Sequence, residues 1–139
     1  MKFYPTGAGS IQLGSWGTVG VSGWQIISYG VRDSFFSCNI KSDAVGGWSL
    51  LTGTIAPGSN TRIVIITATR DGTASLYVDG VFDTSISTDT WVAGTADQFK
   101  IIGSGNVDTC YIAAEQWISR VITADEITNL TNYYARLFQ

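Results

Sequence analysis

The chain has 139 residues, 45% of them apolar and 14% charged, which is enough for one domain with a real core and too apolar for a disordered chain. Eight Lys and Arg stand against 11 Asp and Glu, for a net charge of -3, and there is no basic run, so the electrostatic footprint of nucleic-acid binding is missing. No window approaches the roughly 20 consecutive apolar residues that a membrane-spanning helix needs.

In chain order, Met1-Lys2-Phe3-Tyr4-Pro5 runs at once into Gly and Ser without a signal-peptide pattern. Residues 9–14 hold a short alternating strand, and Trp16 falls in the loop 14–23. Residues 24–31 read as a strand, 32–34 as its turn, 35–40 as the next strand and 41–47 as a loop. A fifth strand spans 48–52, and Pro57-Gly58 marks a turn in the loop that follows. The strongest local signal is residues 62–84. Apolar runs 63–69 and 74–78 flank Asp71-Gly72, and a short run 81–82 follows Asp79-Gly80. Asp-Gly suits a type I′ turn, which needs φ > 0 at both central residues, so this stretch predicts a three-stranded antiparallel meander. Residues 63–68 are nearly all apolar, which predicts a strand buried on both faces and central in its sheet. In the second strand Leu76 and Val78 share one face, and Ser75, Tyr77 and Asp79 the other.

Residues 85–97 read as a long connection carrying Trp91, 99–103 as a strand, 104–108 as a turn and 109–121 as one long or bulged strand. A single helix is predicted over about 123–137. Thr123-Ala124-Asp125-Glu126 is a capping box, the two acidic residues suit the positive end of the helix dipole, and Arg136 suits the other end. Ile127, Leu130, Tyr134 and Leu137 recur at helical spacing as one apolar stripe. Roughly ten short strands with one helix make an all-β sandwich of one domain over 1–139.

The phrase TATRDGTASLYVDGVFDTS at residues 67–85 resembles the central hairpin of laminin-G-like, concanavalin A-like jelly-roll domains. IAAEQWISRVITADEITNL at 112–130 is similar to that family's closing strand and small helix, and FKIIG at 99–103 to the strand between them. The match covers most of 61–134 in order, and the N-terminal third only through 9–13 and 23–31. The resemblance implies a concanavalin A-like jelly-roll β-sandwich of two antiparallel sheets with one short C-terminal helix.

All of these phrases are strand, turn and cap chemistry. Histidine is absent, which removes Ser-His-Asp and Cys-His catalysis. Laminarinase-type enzymes of the same sandwich carry an E-x-D-x-x-E phrase. Here the two glutamates, Glu115 and Glu126, form no such phrase, and capping already accounts for Glu126. Gly7-Ala8-Gly9 and Gly103-Ser104-Gly105 precede no helix that would cradle phosphate. No enzymatic activity is expected. Cys38 and Cys110 read as two reduced, partly buried thiols, with one disulfide as the alternative.

Many relatives hold calcium through rim carboxylates, which makes calcium the one candidate cofactor and Asp83, Asp89, Asp97 and Asp108, all in predicted loops, its candidate ligands. Loop aspartates also cap turns, which is the plainer reading. Trp16, Trp48 and Trp91 lie in or beside Gly/Ser/Thr-rich loops, where a ring can stack on a pyranose or plug the end of a sandwich. Trp24 and Trp117 fall in strands and read as core. Asn129-Leu130-Thr131 matches a glycosylation sequon on the helix, a chance match.

The expected function is that of a non-enzymatic virion surface module, a bacteriophage capsid decoration or fibre-associated protein. Its partners would be other virion or fibre proteins, or further copies of itself, with neither nucleic acid nor membrane bound. The alternative is a lectin-like, carbohydrate-binding module of a larger secreted or fibre protein, located outside the cell and bound to a surface glycan.

Overall fold

The computed structural model describes residues 2–4, 11–16, 27–32, 35–41, 48–58, 61–68, 73–87, 99–104, 109–111, 116, 118 and 120–138. Ten strands and one helix occur among them. They are β1 (Lys2–Tyr4), β2 (Ile11–Trp16), β3 (Ile27–Arg32), β4 (Phe35–Lys41), β5 (Trp48–Thr52), β6 (Val64–Ala68), β7 (Thr73–Val78), β8 (Val81–Ser87), β9 (Phe99–Ser104), β10 (Thr109–Tyr111) and α1 (Ala124–Leu137).

Five strands form one sheet in the order β5-β4-β3-β2-β9, and three form a second, β6-β7-β8. β1 and β10 pair separately. Every pairing is antiparallel. The described fold is therefore all-β with one C-terminal helix.

Period-two patterning puts the core where the two larger sheets meet. Phe36 and Cys38 on β4, Leu51 on β5, and Ala74, Leu76 and Val78 on β7 form one buried cluster. Alternate residues of β4 and β7 supply it, and Val64, Ile66 and Ala68 of β6 pack against its edge. The β7 alternation agrees with the sequence reading. On the opposite face Tyr77 meets Phe82 edge to face, with ring centroids 5.6 Å apart.

The Asp79-Gly80 turn forms as expected, with φ of 52° at Asp79 and 80° at Gly80. Asp71-Gly72 lies outside the described residues, as do Trp24, Trp117 and Glu115.

Four expectations are corrected. β6 is an edge strand of its sheet and the more polar β7 is central. All five β6 residues are half-buried, because one face meets the core and the other is partly covered. A continuous apolar run cannot distinguish those two situations. β8 continues to Ser87, so 85–87 belong to a strand rather than to the connection after it. β2 runs on through Trp16, a position expected in a loop. Finally, no strand spans 109–121. β10 ends at Tyr111, paired to the unforeseen β1, and Gln116, Ile118 and 120–123 are irregular. Side chains of that approach tie to the helix instead: the Tyr134 hydroxyl donates to Gln116 Oε1 at 3.1 Å.

The helix has the predicted boundary. Thr123 is the N-cap, and both halves of the capping box are present, with the Glu126 amide donating to Thr123 Oγ1 at 3.3 Å and the Thr123 amide to Glu126 Oε2 at 2.8 Å. The predicted stripe is only partly covered: Ile127 is buried, Leu130 and Tyr134 are half-buried, and Leu137 is 54% exposed. The helix docks through Ile127, Leu130 and Tyr134, and its end at Arg136 and Leu137 extends past the contact.

Candidate functional site

Strand register places the sequence candidates at two separated ends of β5. Trp48 opens β5 opposite Lys41, and Trp16 closes β2 opposite Ile27, which itself pairs with Ile40. Both tryptophan backbones therefore lie at one end of the five-stranded sheet. They are three strand spacings apart, about 14 Å at about 4.8 Å per spacing. Trp91 lies outside the described residues, and so do Asp89, Asp97 and Asp108.

Asp83, the fourth carboxylate of the calcium set, sits beyond the other end of β5. It is in strand β8 rather than a loop. Leu76 of β7 faces Thr84, but Tyr77 faces Phe82, so Asp83 is the extra residue of a β-bulge. The bulge turns its carboxylate onto the corner where the chain leaves β5. Thr54 donates its amide to both carboxylate oxygens, at 3.0 and 3.1 Å, and its hydroxyl to Oδ1 at 2.6 Å. The Ile55 amide adds a longer bond to Oδ2 at 3.4 Å. These donors account for an aspartate here without a cation. Among the described residues no three His, Cys, Asp or Glu side chains come together as a metal site.

That corner also fixes Gly53. Its amide donates to Phe36 O at 2.8 Å, and a Cβ on it would collide with Asp83 Oδ2, approach Leu76 Cδ2 to 2.8 Å and come within 3.3 Å of Phe36 O. Gly53, Thr54 and Asp83 thus tie the edge of one sheet to the edge of the other.

A second polar clamp holds the loop before β6. Asp79 accepts the Ile63 amide at 2.9 Å and Arg62 Nη1 at 2.6 Å, and its own amide donates to Ile63 O at 2.8 Å. Arg62 Nε donates to Pro57 O at 3.0 Å. On the helix side of the same turn, Thr131 abuts Gly80. A Cβ at Gly80 would lie 3.1 Å from Thr131 Oγ1, which is buried with no hydrogen-bond partner.

Among the described residues, the carboxylate with a strongly displaced pKa is Glu126. The Arg120 guanidinium, which donates to both its oxygens, and then the Thr123 amide hold it down to about 2. A general acid needs the opposite displacement. Ile118, Ile122 and Leu130, with Arg120, Glu126 and Asn129 at the rim, line an open groove of about 300 Å³ beside it. Cys38 is wholly buried in the core, and burial pushes its thiol up to about 12, far from thiolate chemistry at neutral pH.

What the arrangement offers is surface. Val81 and Phe82 beside the hairpin turn are 62% and 54% exposed, and Tyr133 at the far end of the helix is 58% exposed. No described helix is long and apolar enough to cross a membrane. No known family model and no curated protein matches the chain.

Sequence reasoning missed Gly53, Arg120 and Thr131. The Asp83 bulge had no sequence signal, because it depends on the register of β7 against β8. Arg120 had one: a cation six residues before the capping glutamate, within reach once the chain turns into the helix.

Proposed function

We propose that this chain is a non-enzymatic, concanavalin A-like jelly-roll module of a virion surface, a capsid decoration or fibre-associated protein that acts by assembly. The jelly-roll reading rests on the ordered resemblance of residues 61–134, to which a meander and a core shared between two sheets are congenial. The assembly reading is carried by one observation. In a chain with 14% charged residues, large apolar side chains stay exposed on the hairpin and on the last turn of the helix. Exposed apolar groups that gather in patches mark interfaces more often than not.

The test is electron microscopy of particles from the native source, with the chain located by a bound antibody fragment. Regular copies on the particle surface are the expected result. A chain found only in soluble form, binding a glycan array in a manner lost with Trp16→Ala, Trp48→Ala or Trp91→Ala, would replace this reading with the lectin-like one. Hydrolysis of β-glucans by the purified protein would reject both.

A further inference from the structure

The outer face of α1 is self-complementary when a second copy is laid against it in the opposite direction. The exposed positions of the helix recur every three to four residues and stand symmetrically about its midpoint, between Leu130 and Thr131. Reversing the helix therefore superimposes exposed positions on exposed positions. It brings Asp125 of the first turn against Arg136 of the last, twice by symmetry. Asn129 then meets Asn132, where paired amides can both donate and accept.

Local charge supports a second copy as the occupant, since the helix carries exposed opposite charges at its two ends. The chain carries a net charge of -3, so two copies repel overall unless opposite charges meet locally. Glu126 is already engaged by Arg120 and Thr123. Asp125 is the exposed acidic group at that end of the helix, and Arg136 the basic group at the other. Antiparallel pairing also sets the two helix dipoles against one another favourably.

We propose that α1 is a homodimerisation helix, pairing antiparallel with α1 of a second copy through two Asp125–Arg136 contacts. This names the partner for the assembly reading and rests on that reading for its use, but the pairing itself is a property of the isolated protein. A helix of 14 residues is about 21 Å long at 1.5 Å per residue. Such a contact falls below the roughly 1,200 Å² of total buried area typical of stable complexes, so the dimer is weak, with Kd on the order of 100 µM.

Sedimentation equilibrium of the full chain, carried to several times that concentration, tests it. The wild type should show a monomer–dimer equilibrium. Asp125→Arg and Arg136→Asp should each weaken it at least tenfold, because each places like charges together twice. The double variant Asp125→Arg/Arg136→Asp should return to within about threefold of wild type. An equimolar mixture of the two single variants should form a heterodimer, which also shows that both are folded. A wild-type chain that stays monomeric, or single variants that dimerise as well as wild type, would overturn the pairing. Decoration of the native particle is read separately by microscopy, so the failure of one does not stand for the failure of the other.

Discussion

Gly53 and Asp83 show how single residues fix where two sheets meet. Gly53 has no room for a side chain between Leu76, Asp83 and the Phe36 carbonyl. Gly53→Ala is expected to lower stability by about 1–3 kcal/mol through overpacking, read as a fall in the urea midpoint with unchanged slope. Asp83→Ala removes the acceptor for two amides and a hydroxyl, but Thr54 is exposed and water can replace part of the loss, so about 1–2 kcal/mol is expected. If Asp83 were held by a cation instead, chelation alone would cause a loss of the same size. Thr131 offers the opposite sign. Its hydroxyl is buried without a partner, so Thr131→Val should raise the melting temperature, by about 0.5–1.5 kcal/mol of stability. None of these three roles can be read in sequence, since each depends on which residue of another strand or helix lies opposite.

Elements were legible where local chemistry decides them. Asp79-Gly80 and the Thr123 capping box needed no tertiary information, and both formed as read. The position of β6, the length of β8 and the fate of 109–121 depend on pairing and covering layers, which local sequence does not encode. The helix carries two predictions. Ile127 is its one fully buried residue, so Ile127→Ala should cost about 2–4 kcal/mol, whereas the half-buried Leu130 should cost distinctly less on truncation. Glu126 sets a pH dependence. Its folded pKa of about 2 lies below the ordinary value of 4.5, so its contribution is present above about pH 4.5 and is lost as pH falls toward 2. Glu126→Gln should flatten that part of the stability–pH curve, and added salt should flatten it too, since Arg120 is exposed.

At the scale of the molecule, the proposed assembly of a chain with 14% charged residues is expected to rest on apolar and backbone contacts. The all-β class with one C-terminal helix was legible because period-two patterning, turn residues and the capping box encode it. The candidate site was not, because Trp16 and Trp48 gain their common end of a sheet only through register, and Asp83 its role only through a bulge. In the proposed assembly, charge sets the orientation of the helix pair, and apolar contacts are expected to supply the bulk of the stability. The measurement that tests this most directly is the mass of the native assembly by sedimentation velocity at about 0.1 M and about 1 M salt, where the Debye length shrinks from about 10 Å to about 3 Å. The mass should be unchanged between the two. Complete dissociation to single chains at high salt would show that charge pairing holds the assembly and would contradict the account.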